Sequence, residues 1–423
     1  MSARPRSVAA LQLHAHDRAD FSERWPHILA QIAAAADRGA ELIVVPEGTV
    51  PAYVIGNERI DPRVLDSAAQ DVIAVAARSG ATIVYGGARY EGERLANSAY
   101  VVTASGITGT ADKCFLWHFD RRWFHAGEAL EPIDTPAGRL GVFVCADGRI
   151  PTIASTLVDR GAQILVLPTA WVSSGRDPAA LENIQADLMI NVRARENGVP
   201  LVAANKCGVE ARSVAYCGKS AVVAADGSFA ARASQDDETA LHARIAVGPA
   251  LVSRAAVPAV VVRGASQAPL PDITRIAITL RTDGALNGIA LTADADLTID
   301  PHTRPQSADI ALVDDEAMTD PRALVAPRLD GVRVFVWHTS VGAAWVIPFA
   351  RTRAAELRAY VVVLDTLDRR ALAVDPDGVV VCGTFGSFEL AAFTFERRRT
   401  DAWIVAPHTD VRASLVAVEA MRR

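Results

Sequence analysis

The chain has 423 residues, of which 50% are hydrophobic and 22% are charged, so it can bury the core of one large domain or two ordinary ones. Its net charge of −6 argues against a general nucleic-acid binder and against a protein that binds anionic membranes. The N-terminus lacks the apolar core of a signal peptide, and charged residues or glycine interrupt each apolar segment before it reaches the length of a membrane span.

The first 250 residues alternate short apolar strands with helices. In chain order, the pattern predicts strands at 8–13, 42–45, 82–85, 99–103, 109–113, 140–144, 164–167 and 200–204, and helices at 25–38, 67–78, 153–160 and 178–197. Helices interleaved with Val-, Ile- and Leu-rich strands are typical of an α/β fold whose sheets are covered by helices. Residues 251–273 contain several prolines and small residues, which predicts a linker between a domain at 1–250 and a second domain at 274–423.

The second domain weakly repeats the first. Residues 310–316 resemble the strand and turn around Cys145, with Asp314 in the place of the thiol. Further matches follow in the same order at 334–337, 353–356, 361–365 and 377–378. We interpret this part as a truncated, degenerate copy without a nucleophile; the alternative is an unrelated small α/β domain.

Cys145 ends the apolar run 140–144 and begins a turn of small and polar residues. This change is typical of a buried strand that runs into a loop, which holds a thiol where a substrate reaches it. Backbone N–H groups of the helix that is predicted to follow are expected to lower the thiol pKa and to stabilise an oxyanion. A cysteine at a strand end is also a common small core residue, so the assignment depends on its neighbours.

Two other strand ends carry groups that suit the same chemistry. Glu47 follows the apolar strand 42–45, and Lys113 ends the strand 109–113. Taken alone, Glu47 reads as a helix cap or a salt-bridge residue, and Lys113 as a solvated lysine. Together with Cys145 they supply a base, a cation and a nucleophile, the groups that acyl transfer requires.

The chain resembles the nitrilase, or carbon–nitrogen hydrolase, superfamily over residues 7–245. The segments that carry this resemblance are Pro46-Glu47, Lys113 with Trp117 and 124–128, Gly141 to Pro151 around Cys145, Gly161 to Trp171, Arg193 to Asn197, and Val202 to Asn205. Each piece is short, but their order and spacing are specific to the superfamily.

The resemblance implies a four-layer αββα sandwich. It also implies that Cys145 is the nucleophile, Glu47 the general base and Lys113 the electrostatic stabiliser. The backbone N–H of Ala146 is expected to face the oxyanion beside Lys113. This chemistry requires no metal and no cofactor, and the five cysteines, which are odd in number and form no CxxC pair, favour reduced thiols in a cytoplasm.

Two positions depart from the family pattern. Many members place a second glutamate seven residues after the lysine, where this chain has Asp120. We expect Asp120 to join the site with its contact to Lys113 or to the substrate shifted or bridged by water; the alternative is a surface pair with Arg121 or Arg122. Thr152 stands where a glutamate usually follows the proline of the cysteine turn, which is expected to alter support of the turn.

The residues near Cys145 favour an amide substrate. True nitrilases commonly have Trp-Glu after the nucleophile, whereas this chain has Ala146 and Asp147. Arg149 matches members that act on carboxylate-bearing substrates, and a guanidinium binds a carboxylate through two parallel hydrogen bonds; a structural pair with Asp147 or another acid is the alternative. Three aromatic residues near the strand ends are candidate pocket residues: Tyr53, Trp117 and Trp171.

The leading hypothesis is a cysteine amidase that acts on a small-molecule amide and forms a homo-oligomer, a dimer. An N-carbamoyl amino acid hydrolase ranks behind it, because those enzymes often carry two adjacent arginines where this chain has Gly148 and Arg149. An acyltransferase or amide synthase shares the same acyl-enzyme and differs only in the acceptor. A binding protein without turnover is disfavoured by the intact Glu47, Lys113 and Cys145.

Overall fold

The computed structural model describes residues 4–173, 182–249, 259–264, 267–280, 285–286, 289–290, 294–384, 386 and 389–422. The chain forms two compact units. The first contains residues 1–254 together with 406–409 and 416–423, and the second contains 255–405 and 410–415. The sequence predicts domains at 1–250 and 274–423, whereas parts of the C-terminal segment, 406–409 and 416–423, belong to the first of these compact units.

The first unit contains a larger and a smaller β-sheet with helices. Its strands are β1 (Arg4–His14), β2 (Leu42–Val44), β3 (Thr82–Glu91), β4 (Arg94–Thr103), β5 (Gly106–Asp112), β6 (Ile133–Thr135), β7 (Gly138–Val142), β8 (Ile164–Pro168), β9 (Leu201–Ala204), β10 (Lys206–Glu210), β11 (Val214–Cys217), β12 (Ala221–Val223), β13 (Phe229–Arg232) and β14 (Thr239–Val247). Its longer helices are α1 (Phe21–Asp37), α2 (Pro62–Ser79), α3 (Pro151–Asp159) and α4 (Ile190–Asn197). A π-helical turn at Gln185–Met189 precedes α4, and part of the helix predicted at 178–197 lies outside the described residues.

The first sheet has the strand order β11-β10-β1-β2-β3-β4-β5, with β14 paired to β1. Its central strands β1, β2 and β3 are parallel, and β3, β4 and β5 form an antiparallel meander. Helices α1 and α2 cover its outer face. The buried residues of α1, including Trp25, Ile28 and Ile32, recur every three or four positions, which gives the helix one apolar face.

The second sheet has the order β13-β12-β9-β8-β7-β6, with β7, β8 and β9 parallel. It packs against the first sheet through β8 and β9, while α3 and α4 cover its other face. This confirms the predicted four-layer αββα sandwich. Because the carboxyl ends of β2 and β7 face the same edge, side chains that follow these strands meet there.

The second unit is a smaller α/β unit. The strands from 259 onward are β15 (Val261–Arg263), β16 (Ile273–Thr279), β17 (Ala285–Leu286), β18 (Ile289–Ala290), β19 (Leu297–Ile299), β20 (Ile310–Val313), β21 (Val334–Thr339), β22 (Tyr360–Asp365), β23 (Arg370–Val374), β24 (Val380–Gly383), β25 (Leu390–Glu396), β26 (Ile404–Ala406) and β27 (Thr409–Asp410). The helices from 259 onward are α5 (Asp315–Thr319), α6 (Arg322–Leu329), α7 (Ala343–Leu357), α8 (Arg397–Asp401) and α9 (Val411–Arg422). Most of α9 belongs to the first unit.

The predicted linker is folded over part of its length. Strand β15 pairs antiparallel with β20 in a sheet of order β15-β20-β21-β22-β23-β24. The prediction of a linker at 251–273 is therefore wrong for 261–263, because the short apolar run there forms an edge strand. Residues 251–258 and 265–266 lie outside the described residues. Within the described helices, none is long and apolar enough to cross a membrane.

Candidate active site

Three predicted strand-end residues come together in the first unit. Glu47 follows β2, Lys113 follows β5, and Cys145 follows β7 after two further residues. Glu47 and Lys113 are 0% exposed, and Cys145 is 6% exposed. Charged groups are seldom buried to this extent unless they are paired, so the arrangement points to a site and excludes the alternatives of a solvated lysine and a surface glutamate.

Lys113 lies between two carboxylates. Its Nζ is 2.7 Å from Glu47 Oε1 and 2.6 Å from Asp120 Oδ2. Burial alone lowers the pKa of Lys113, but Asp120, Glu47 and the nearby Cys145 outweigh it and raise the pKa well above its usual value. The site therefore holds a permanent ammonium group at neutral pH.

Glu47 keeps one oxygen open beside the thiol. Its Oε1 accepts hydrogen bonds from Lys113 Nζ and from Asn97 Nδ2, the latter at 2.7 Å. Among the described residues, its Oε2 has no hydrogen-bond partner. Burial raises the pKa of Glu47, Lys113 lowers it and Asp120 raises it again, with a raised value as the result. An interaction with the Cys145 thiol also lowers this pKa slightly, which places the thiol within reach of the carboxylate.

Cys145 begins a short 3-10 turn at Cys145–Arg149 and has a positive φ of 49°. Residues other than glycine seldom adopt this backbone conformation, and those that do are often found at functional sites. Burial and the negative charge of Glu47 raise the pKa of the thiol, although Lys113 and the neighbouring Thr169 and Ala170 lower it. This corrects the prediction of a lowered pKa, because desolvation and a facing carboxylate outweigh the N–H groups of the turn. A thiol with a raised pKa needs a base to remove its proton.

Asp120 contacts Lys113 directly, so the prediction of a shifted or water-bridged contact is wrong. Its Oδ2 also accepts a hydrogen bond from the backbone N–H of Trp117 at 2.9 Å. The 3-10 turn at His118–Arg122 brings the carboxylate inward, where it is 0% exposed. The backbone of this turn makes up for the shorter side chain, and the alternative of a surface pair with Arg121 or Arg122 does not hold.

Replacing Asp120 with asparagine should lower kcat about 10²-fold, an effect of the size that general base catalysis supplies. Without Asp120, Lys113 pairs with Glu47 alone, and the pKa of Glu47 falls because Asp120 raises it. The acid limb of the kcat/KM profile should therefore move to lower pH. Asp120→Glu keeps the charge and serves as the matched control. An unchanged rate and limb in folded Asp120→Asn would contradict this account.

The predicted pocket residues lie around this group in different ways. Tyr53 is 3% exposed, and the Lys113 Nζ lies 5.7 Å from its ring centroid. Trp117 is partly buried and lies beneath the guanidinium of Arg149, whose Cζ is 5.3 Å from the ring centroid. Trp171 is 1% exposed, and its Nε1 has no acceptor among the described residues. Ala146 is buried in the turn that Cys145 begins.

Sequence reasoning missed two residues that shape the site. Asn97 lies within β4 and donates to Glu47; an asparagine inside an apolar strand was the available signal, because strands are depleted in this residue. Gly86 in β3 passes so close to the site that a Cβ there would lie 2.4 Å from the Cα of Glu47. Any larger residue at position 86 would displace the backbone that carries this carboxylate.

An αββα sandwich with a buried thiol, carboxylate and ammonium group at its strand ends defines a carbon–nitrogen hydrolase with an active-site cysteine. The sequence profile described as carbon-nitrogen hydrolase matches residues 7–250. The chain belongs to the carbon–nitrogen hydrolase family.

Individual relatives agree with this membership. A protein named "Hydrolase in pqqF 5'region" from Pseudomonas protegens is 31% identical over 216 residues, which cover 49% of this chain and 73% of that protein. A nitrilase from Pyrococcus abyssi is 29% identical over 213 residues, which cover 49% of this chain and 77% of that protein. A solved structure of an amidase from Nesterenkonia sp. has a TM-score of 0.52 at 24% identity and covers 58% of this chain and 92% of that chain; this likeness is one of fold.

Proposed function

We propose that this enzyme hydrolyses a non-peptide C–N bond in a small amide through an acyl group on Cys145. The observation that carries the proposal is the buried contact of Lys113 with Glu47 at 2.7 Å, beside a neutral thiol. One carboxylate oxygen is open toward the proton that must be removed, and a fixed cation lies where negative charge develops.

In the acylation step, the sulfur of Cys145 attacks the amide carbonyl carbon while its proton moves to Glu47. The ammonium group of Lys113 and the N–H of Ala146 stabilise the tetrahedral oxyanion. When the oxyanion collapses, the C–N bond breaks and Glu47 returns the proton to the leaving nitrogen. The products of this step are an amine or ammonia and a thioester on Cys145.

In the deacylation step, Glu47 accepts a proton from water as the water oxygen attacks the thioester carbonyl. The second tetrahedral intermediate expels the sulfur of Cys145, which regains its proton from Glu47. The enzyme returns to its starting state and releases a carboxylic acid. Because Glu47 serves both steps, its open oxygen must face the acyl carbon as well as the thiol.

The substrate class follows from the surroundings of the thiol. The near-complete burial of Cys145 and the aromatic rings of Tyr53, Trp117 and Trp171 favour a small substrate held against apolar walls. Ala146 and Asp147 in place of Trp-Glu favour an amide over a nitrile. An acyltransferase would use the same acyl-enzyme with an amine as acceptor, so the test must include amines.

The test is turnover of primary amides, N-substituted amides, N-carbamoyl amino acids and nitriles, followed by mass spectrometry, on wild type and Cys145→Ala. Hydrolysis of an amide that the variant does not perform would support the proposal. Preference for N-carbamoyl substrates would replace it with the carbamoylase alternative. Product formation only after added amines would establish the transferase, and no reaction in either arm would overturn the proposal.

We further propose that Arg149 binds a carboxylate on the substrate. It lies at the end of the cysteine turn, and its guanidinium Cζ is 5.3 Å from the ring centroid of Trp117. A planar guanidinium can bind a carboxylate through two parallel hydrogen bonds. Arg149→Ala should raise KM for carboxylate-bearing amides about 10- to 100-fold, the loss expected for a charge-assisted hydrogen bond, and leave neutral amides unchanged. Arg149→Lys is the charge-conserving control. An equal effect on neutral amides would instead indicate a structural pairing.

A further inference from the structure

The second unit repeats the spatial strand order of the cysteine-bearing sheet of the first unit, although its edge strand β15 comes first in the unit, whereas β6 directly precedes β7 in the chain. The order β6-β7-β8-β9-β12-β13 corresponds to β15-β20-β21-β22-β23-β24. In both sheets the three strands after the first are parallel, and the remaining neighbours are antiparallel. A register shift occurs at the same place, before Val223 in one sheet and before Val374 in the other. Equal order, direction and irregularity indicate a copy of this half of the fold.

Strands of the larger sheet of the first unit also have counterparts, in the three-stranded sheet of the second unit. In the first unit, β1 pairs parallel with β2 and antiparallel with β14; in the second unit, β16 pairs parallel with β19 and antiparallel with β25. Residues 300–309, all described, join β19 directly to β20. The meander β3 to β5, which leads to Lys113, therefore has no counterpart between these two strands.

A buried ion pair is retained in both units at matching places. In the first unit, Arg193 Nη1 contacts Glu196 at 2.9 Å and its Nε donates to the carbonyl of Gly148 at 3.1 Å. In the second unit, Arg353 contacts Glu356 at 2.6 Å and donates to the carbonyl of Met318 at 2.8 Å. The second unit keeps this ion pair although it has no counterpart, between β19 and β20, of the meander that leads to Lys113. We therefore assign the pair to support of the turn after β7 or β20 and not to catalysis.

The strand register identifies the residue that takes the place of the thiol. Leu140 of β7 and Ile310 of β20 occupy equivalent positions beside their neighbouring strands. Counting forward from them, Cys145 corresponds to Asp315, and each residue begins a turn of five residues. This corrects the prediction that Asp314 stands at the thiol position. Asp314 instead caps α5 by accepting from the N–H of Ala317.

The Asp315 carboxylate is occupied by structural hydrogen bonds. It accepts from Trp337 Nε1 at 2.8 Å and from the backbone N–H and hydroxyl of Ser340, both at 3.1 Å. Ser340 follows β21 as Ala170 follows β8, and the backbone of Ala170 lowers the pKa of the Cys145 thiol. The residue at the position of the nucleophile thus joins the first turn of α5 to the end of β21 through hydrogen bonds.

Asp147 of the cysteine turn has no acidic counterpart in the second unit, where the equivalent residue is Ala317. The meander β3 to β5, which leads to Lys113, also has no counterpart there between β19 and β20. Its buried carboxylate accepts from the backbone N–H groups of Val144 at 2.9 Å, Cys114 at 3.1 Å and Phe115 at 2.6 Å. One donor precedes Cys145, and the other two directly follow Lys113. The carboxylate therefore joins the segment that carries the thiol to the segment that carries the cation.

We propose that the second unit is a reduced, catalytically silent copy of the first, and that Asp147 is a positioning residue that holds Lys113 in register with Cys145. The proposal rests on the proposed function of these two residues. Asp147 touches no reacting atom; it fixes two backbones, and misplacement by about 1 Å of groups that must act together costs about 10²-fold in rate.

The test compares Asp147→Asn with Asp315→Asn in the full chain. Asp147→Asn presents an amide N–H to backbone donors, so kcat should fall about 10²-fold with KM little changed. The pH profile for alkylation of Cys145 by iodoacetamide should shift as well, because Lys113 and Glu47 set the reactivity of the thiol. Asp315→Asn should lower the melting temperature while kcat and the alkylation profile stay at wild-type values.

Two further arms keep the test decisive. If Asp147→Asn does not fold, Asp147→Ser keeps a short acceptor for Val144 but cannot reach Phe115, and the same losses are expected from it. The alkylation arm needs no substrate, so a wild type without amide turnover would overturn the proposed function and leave the positioning role measurable. Wild-type kcat and alkylation in a folded Asp147 variant, or a lowered kcat in Asp315→Asn, would overturn the inference.

Discussion

Replacing Cys145 with alanine should lower amide turnover by at least about 10⁴-fold, as loss of the nucleophile does in other acyl-transfer enzymes. The remaining Lys113 and Glu47 can polarise a bound amide, but no covalent intermediate can form. The thiol is small and the site is buried, so the change removes one atom from the reaction centre with little effect on the core. Steady-state turnover and the mass of the intact protein after brief mixing with substrate give the two readouts.

The matched control for Cys145→Ala is Cys382→Ala in the second unit. Cys382 is partly buried, and burial raises its pKa to about 11, so it is a thiol of low reactivity outside the site. Wild type and Cys382→Ala should show the same acyl adduct of one substrate per chain, and Cys145→Ala should show none. Turnover that survives in Cys145→Ala would rule out the acyl-enzyme proposed for this residue.

Glu47, Lys113 and Cys145 could be predicted from the sequence because buried strands appear in it as apolar runs. The apolar runs before Glu47 and Cys145 end abruptly, and a parallel sheet brings such ends to one edge. A polar side chain in the interior of a strand gives a weaker signal, because its residue type is unusual there but the sequence does not show which group it contacts. Asn97 looks like an ordinary polar residue of β4, and only the folded structure places its amide 2.7 Å from Glu47.

Electrostatic predictions depended on burial that sequence does not display. The turn after Cys145 suggested a lowered thiol pKa, and the structure raises it because the thiol loses water and faces Glu47. The contact of Asp120 with Lys113 was also misjudged. That prediction compared aspartate with the longer glutamate on the assumption that the backbone position is the same. The 3-10 turn at His118–Arg122 carries Asp120, whose carboxylate lies 2.6 Å from Lys113 Nζ.

The repeat that we propose in the second unit illustrates a different limit. Matching short apolar runs placed Asp314 at the thiol position, one residue away from the position that the strand register assigns, because a run of valines and leucines does not fix its own register. Pairing with a neighbouring strand fixes it, and the equivalent positions of Leu140 and Ile310 then identify Asp315.

Glu47→Gln should lower kcat about 10³-fold, within the range that general acid–base catalysis contributes. Glutamine fills the same volume and its oxygen can still accept from Lys113 Nζ, so the fold is expected to be retained. What disappears is a group that accepts the thiol proton, delivers it to the leaving nitrogen and activates water. Both acylation and deacylation are therefore slowed, and any acyl-enzyme that forms should persist long enough to be seen by mass spectrometry.

The pH profile separates this role of Glu47 from a structural one. Only the ionised carboxylate accepts a proton, so wild-type kcat/KM should fall as the pH drops through the pKa of Glu47. Burial and Asp120 raise that pKa above the usual value of a glutamate, although Lys113 opposes them, and the limb should therefore lie at a higher pH than for an exposed carboxylate. In Glu47→Gln the limb should be absent and the residual rate nearly independent of pH in that range.

A surface carboxylate provides the control for Glu47. Glu131 pairs with Arg160 and its side chain is 67% exposed, so Glu131→Gln should change neither kcat nor the acid limb. A Glu47→Gln enzyme that kept the wild-type limb would assign it to Asp120, the other carboxylate on Lys113. Loss of the limb in Glu47→Gln and its shift to lower pH in Asp120→Asn would together establish that one carboxylate moves the proton while the other sets its affinity. The same ammonium group serves both, since Lys113 neutralises the pair and leaves Glu47 free to ionise near the neutral thiol.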